Sequence, residues 1–236
     1  ILWGYLFWML GTLHILPNTL GGQTAAWMIL VGASLWLGRG QWREMLGWLR
    51  SHWKTLIFIE ALFIILFAGW ALVRAANPNV TGTEKPMEMA FISSILRSSS
   101  FPPNDPWLSG YSISYYYFGY VMTAMLTRFS GISASVGFNL ALAAWFAMAG
   151  LGAFGLVFDL LQGSKNASNG VNEVHKIRSL FSAFLGPLFL LLISNLEGFL
   201  EMLHARGVFW KQATDGEWQS SFWKWLDILE LNRAPS

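Results

Sequence analysis

The sequence predicts an all-α protein: a polytopic transmembrane helical bundle of about six spans, forming one helical domain over residues 1–236. Three observations predict it. Hydrophobic residues make up 54% of the chain and charged residues only 12%, about half the roughly 25% that a water-soluble domain carries. So few charges leave too little polar surface to cover a globule in water, and mean hydropathy is +0.44. The apolar residues fall into long uninterrupted stretches, and the 14 Trp and 18 Phe suit a chain whose amphipathic rings gather at a membrane–water boundary. The net charge of +2 gives no basis for a nucleic-acid partner, so the expected partner is the lipid bilayer. With no Cys there is no disulfide framework, thiolate metal site or thiol nucleophile.

Segment one, Ile1–Leu16, is a short span that Pro17-Asn18 and Gly21-Gly22 break. The chain starts on Ile1, with no basic region or small-residue cleavage site ahead of the apolar run, and reads as the N-terminal part of a longer protein. Segment two, Thr24–Leu37, is short for a bilayer core of about 30 Å. Residues 39–54 place Arg39, Arg43, Arg50 and Lys54 among Trp42, Trp48 and Trp53, as an interfacial turn or amphipathic helix does. Segment three is Thr55–Val73, with one acid, Glu60. Segment four runs from Ser112 to Phe129, and segment five from Ala134 to Leu161 is rich in the Ala and Gly that close packing in lipid prefers. Segment six runs from Ser179 to Ile193 and leads into an amphipathic stretch ending at His204. The tail from Gly207 mixes Trp with charges, as a surface-lying segment would. Lys and Arg are more numerous on the side of 39–54, 128–133 and the tail, which points residues 74–111 outward.

The connector 74–111 carries the chemistry. Thr83 is a suitable N-cap, Pro86 fits a first helical turn, and Met87, Phe91 and Ile95 recur every four residues beside Ile92 and Leu96. This predicts a helix of about three turns along the membrane plane, ended by Ser98-Ser99-Ser100 and Pro102-Pro103. Glu84 and Glu88 share one face of it. They read either as acids stabilising a helix start or as a surface carboxylate serving as general base or metal ligand, Glu84 ahead of Glu88. Asp105 sits on a proline-stiffened loop, as a second acid or as the head of an Asx turn. Five Tyr follow within Tyr111–Tyr120, and their hydroxyls suit a polar ligand at the interface or a plain aromatic anchor.

The runs Glu84-Lys85-Pro86-Met87-Glu88-Met89-Ala90-Phe91, Phe101-Pro102-Pro103-Asn104-Asp105-Pro106-Trp107-Leu108-Ser109-Gly110, Tyr115-Tyr116-Tyr117-Phe118-Gly119-Tyr120 and Gly137-Phe138-Asn139-Leu140-Ala141-Leu142 resemble, in order, the polytopic family of archaea and Chloroflexi named for its YYY motif. Asn195-Leu196-Glu197-Gly198 resembles a further piece. That family is in turn similar to the GT-C membrane glycosyltransferases, in which an acid opens the first large extracytoplasmic loop ahead of a membrane-plane helix. The resemblance implies sugar transfer from a polyprenyl-phosphate donor at the outer face of a prokaryotic cell membrane. Glu84 is then base or metal ligand, Asp105 the second acid, Tyr115, Tyr116 and Tyr117 the lining, and Lys85 and Arg97, with Arg74, the phosphate contacts. A divalent cation, if used, is held by Glu84 or Asp105. Where GT-C enzymes show Asp-Glu or a lone Asp, this chain has Glu84-Lys85.

Two other readings compete. A non-catalytic subunit of a larger membrane assembly, with other membrane subunits as partners, fits the short segment two. A transporter has only Glu60 in its favour, an acid inside a span. Glu197, Glu201 and His204 share a face, but Glu201-x-x-His204 lacks the second such pair that a di-iron site needs, and an amphipathic helix explains them better. Asn79-Val80-Thr81 and Asn166-Ala167-Ser168 match the glycosylation pattern at near chance frequency.

Overall fold

A computed structural model describes residues 1–82, 84–166, 173–193, 196–213, 217–228 and 233. Helices dominate, in keeping with the all-α expectation, and the chain divides into two compact units, Ile1–Met148 and Ala149–Ser236. Among the described residues three helices are long and apolar enough to cross a membrane, where six spans were expected.

In the first unit, segment one forms only α1 (Leu2–Thr12), 11 residues and about 16 Å, too short to cross. Segment two, in contrast, is longer than expected. Thr19 caps α2 (Leu20–Gly38), its hydroxyl accepting from the Gly22 N–H at 3.2 Å. Gly21 and Gly22 therefore open the helix instead of breaking the chain. A Cβ on Gly22 would stand 2.1 Å from the Pro17 carbonyl oxygen, so only Gly allows the turn from Pro17 into α2.

The interfacial stretch 39–54 and segment three merge into one helix, α3 (Trp42–Ala76), 35 residues and about 52 Å long. No Pro interrupts it, so backbone pairing carries straight from the charged half into the apolar half.

Helix α4 (Lys85–Arg97) forms where the four-residue spacing predicts, with Pro86 in its first turn. The expected cap, Thr83, lies outside the described residues. Its apolar face is covered by protein: Phe91, Ile92 and Ile95 are all buried. Segment four is shorter than expected. Residues 112–117 stay outside the helix, with Asn104 and Ser112 bridged antiparallel and the Ile113 N–H donating to the Pro103 carbonyl at 2.9 Å. Helix α5 (Phe118–Ser130) follows, 13 residues long, and stops at Gly131, whose φ of 67° suits a residue without Cβ.

Helices α4 and α5 lie side by side and run the same way. The Tyr120 hydroxyl meets Glu88 near the start of both, and Arg128 meets the Leu96 carbonyl near the end of both. At about 20 Å, α5 is too short to cross a membrane by itself. Helix α6 (Ala134–Asn166) realises segment five, with Ala143 and Ala147 fully buried. The core of this unit joins Phe7, Ala26, Ile92, Ile95, Phe101, Val121, Ala124, Met125 and Phe138.

In the second unit, α7 (Glu173–Ala183), α8 (Leu185–Pro187) and a π-helical turn over Leu188–Leu192 hold segment six, and the apolar helical run Arg178–Leu192 is shorter than the three spans. Gly186 lets backbones approach, since a Cβ there would sit 2.5 Å from the Ala153 carbonyl oxygen. Helix α9 (Leu196–Ala205) is followed by a two-stranded antiparallel sheet, β1 (Lys211–Gln212) and β2 (Trp218–Gln219), and by α10 (Ser221–Leu226). The tail is not a strip lying on a surface. Trp223 is fully buried, its indole N–H donating to the Val208 carbonyl at 2.9 Å, and Trp210 packs with it.

Candidate functional site

The connector between α3 and α5 is pinned from three directions. At its far end α4 leaves backbone carbonyls with no helical partner. The Asn18 amide donates to Ile95 O at 2.7 Å and Ser98 O at 2.8 Å, and Arg128 donates to Leu96 O at 2.9 Å. Arg128 also donates to Asn18 Oδ1 at 2.8 Å, closing the knot. A guanidinium at a helix C-terminus opposes the negative end of the dipole as well as filling the bonds. Next, the Ser98 hydroxyl accepts from the Asn104 N–H, and Ser94 Oγ donates to Asn104 O, folding the proline loop back on α4. Finally, Phe101 inserts against Phe7 of α1, ring centroids 5.5 Å apart. It fits because residue 11 is Gly; a Cβ there would lie 2.4 Å from the Phe101 ring.

On this support the predicted residues separate. Glu84 is exposed at the start of α4 and makes no capping bond to the backbone. Glu88 follows one turn later, its carboxylate 3.5 Å from the Tyr120 hydroxyl, which is oriented to donate. Both carboxylates and Tyr115 lie within electrostatic reach of Tyr120. Glu88 and Tyr120 line a cleft of about 200 Å³ with Ile92, Thr123, Phe138 and Trp145 among its walls. Phe91 anchors the aromatic side, with Trp107, Tyr115 and Tyr120 each 5.5–5.7 Å from its ring.

The three consecutive tyrosines meet different surroundings. Tyr115 packs on Phe91, Tyr116 points outward at 84% exposure, and Tyr117 turns toward α1, where its hydroxyl accepts from the Trp8 indole at 3.1 Å. Asp105 does what an Asx turn asks: Oδ1 accepts from the Trp107 and Leu108 N–H groups at 2.8 and 2.9 Å. No hydrogen bond or ion pair joins it to Glu84 or Glu88 among the described residues. Arg97 folds onto its own helix, donating to Ser93 O at 3.2 Å, and stands about 20 Å along α4 from Glu84. Lys85 is half-buried beside Glu84. The connector thus brings together Glu84, Glu88, Tyr115 and Tyr120, with the exposed Tyr116 packed on Tyr115 at 4.7 Å, and leaves Arg97 apart.

Among the described residues no three His, Asp or Glu side chains gather as a metal-holding group. Glu84 and Glu88 offer two carboxylates, with no third such ligand gathered beside them among the described residues. His204 sits edge-on to Trp210 and Trp223, at 5.6 and 5.2 Å, a packed residue of the second unit. The Glu197 side chain lies outside the described residues, as does Asn195. Glu60 is exposed on α3.

Three functional contacts escape sequence reading: Tyr120 as the partner of Glu88, the Asn18–Arg128 knot, and Asn139 as the partner of Arg74. Each pairs residues remote along the chain, the last two 110 and 65 positions apart. The one local signal is a polar side chain inside an apolar helical stretch, as with Arg128 and Asn139.

Compared with known proteins, residues 2–226 match the model of a family described as an uncharacterized membrane protein family, DUF2298. No curated protein and no solved structure matches.

Proposed function

The chain belongs to DUF2298, a family of uncharacterized membrane proteins, and from that premise we propose that it is a GT-C-like glycosyltransferase or the N-terminal half of one. It moves a sugar from a polyprenyl-phosphate donor to an acceptor hydroxyl at the extracytoplasmic face of a prokaryotic cell membrane. The observation that carries this reading is the pairing of Glu84 and Glu88 one turn apart at the head of α4, with Glu88 and Tyr120 on the wall of a cleft. The likeness of residues 84–142 to the YYY-motif family supports it further.

In this reaction the acceptor oxygen attacks the anomeric carbon and its proton passes to a carboxylate. The bond from that carbon to the phosphate oxygen breaks, and the electron pair leaves on the polyprenyl phosphate. Glu84, exposed and unengaged by its helix, is the first base. Glu88 and Tyr120 orient hydroxyls in the cleft. Asp105 holds the loop in shape and touches neither.

The test is transfer from a lipid-linked donor by the wild type, Glu84→Gln, Glu88→Gln and Asp105→Asn. A general base contributes about 10²–10⁴-fold, so Glu84→Gln loses at least about 100-fold in turnover with little change in folding. Full activity in both glutamate variants ends the catalytic assignment.

A second reading, an accessory subunit, draws on α3, in which Leu62 is the one buried residue. A subunit of that kind gives transfer only when its partner is added back, and both glutamate variants then restore it as well as the wild type.

A further inference from the structure

A second cleft, of about 300 Å³, opens where the last turns of α3 meet the first turns of α6. Ala71, Ala75, Val136 and Leu140 give it apolar walls, and Arg74 is the one charged side chain that lines it. Arg74 is held in place. Its Nε and Nη2 both donate to Asn139 Oδ1, at 2.8 and 2.6 Å, and Nη2 donates again to Asn79 O at 3.2 Å. Asn139 is fixed in turn, its amide donating to Pro78 O at 3.2 Å and Ser135 O at 2.9 Å. These bonds use three of the five guanidinium N–H groups. The two on Nη1 have no partner among the described residues, and no acid lines the cleft. Beyond the cleft, Trp70 of α3 stacks on Phe146 of α6 at 4.3 Å and joins the two helices.

Arg74 closes the apolar run of a membrane-crossing helix, so the cleft sits where headgroups meet hydrocarbon. A pre-oriented guanidinium with two spare donors matches phosphate oxygens. The alanine-lined wall below it matches one lipid chain. We propose that this cleft binds the phosphate of an anionic phospholipid, with an acyl chain along the groove between α3 and α6. The site stands apart from Glu84 and Glu88 and does not depend on sugar transfer.

The full chain in detergent, titrated with phosphatidylglycerol or phosphatidylcholine and followed by native mass spectrometry, tests it. The wild type retains phosphatidylglycerol in preference to phosphatidylcholine. Arg74→Gln lowers that retention about tenfold, and Arg74→Lys, which cannot pair with both Asn139 and a phosphate, lowers it less. Ala75→Phe keeps the charge but fills the groove, and lowers retention alike, so the inference stays testable if Arg74→Gln folds poorly. Equal retention of the two lipids by the wild type overturns the proposal, as does undiminished phosphatidylglycerol on Ala75→Phe. Displacement of the lipid by millimolar inorganic phosphate also overturns it, because the site would then recognise the free anion.

Discussion

At the scale of single residues, the chain depends on glycines where another backbone or side chain arrives. Gly137 of α6 faces Thr127 of α5, and a Cβ there would lie 2.1 Å from Thr127 Oγ1 and 2.9 Å from Cγ2. Thr127 cannot swing aside cheaply, because it is buried, β-branched and bonded to Thr123 O at 2.8 Å. Gly137→Ala therefore costs about 1–3 kcal/mol in overpacking against a gain of about 1 kcal/mol in helix propensity. A net loss of up to about 2 kcal/mol appears as a lower melting temperature in detergent. Gly69→Ala in α3, with nothing within 4 Å, is the control, and leaves melting unchanged or raised. The same scale shows where sequence reading stops. Asp105 in a proline-rich loop offers two readings, catalytic acid and turn former, and the alternatives differ only in which N–H groups lie nearby. The tyrosine run is similar: composition marks it, but not that Tyr115 packs on Phe91 while Tyr117 bonds to Trp8.

At the scale of elements, local rules succeed where the signal is local. The four-residue repeat from Met87 places α4 within two residues, and an unbroken apolar stretch places α6 from its first residue. They fail where an end is set by a distant partner. Nothing near Asn18 announces that its amide caps a helix 77 residues away, and segment four turns helical only at Phe118, after Ser112 and Ile113 have paired with the proline loop. The α4 cap gives a test. Arg128→Ala removes a half-buried, doubly bonded guanidinium and leaves Leu96 O and Asn18 Oδ1 unpaired, a loss of about 2–4 kcal/mol. Protease cleavage within 98–117 should rise in proportion, while Arg97→Ala, which removes a bond inside one exposed turn, leaves the cleavage rate unchanged.

At the scale of the whole molecule, hydropathy identifies a membrane protein, while helix length singles out three helices among the described residues as long and apolar enough to cross. Length decides crossing, and α1 and α5 are short because tertiary contacts, not composition, fix their ends. With α2, α3 and α6 as the crossing helices, everything between α3 and α6 lies on one side of the membrane. The absence of natural Cys makes this easy to check. Single-cysteine variants Ser109→Cys and Ser130→Cys, probed with a membrane-impermeant maleimide on sealed vesicles, label from the same face. Labelling from opposite faces would restore α5 as a span.

The Asn18–Arg128 contact also has a timetable. Ribosomes deliver a chain N-terminus first at about 5–20 residues per second, so Asn18 waits about 5–20 s for an arginine 110 positions downstream. The carbonyls of Ile95 and Ser98 meet the waiting Asn18 amide as soon as they emerge, whereas Leu96 O lacks its donor until Arg128 follows, 32 positions later. The acidic turn at Glu84 is thus synthesised well before its platform can lock, and the cleft beside it is among the last parts of the first unit to mature.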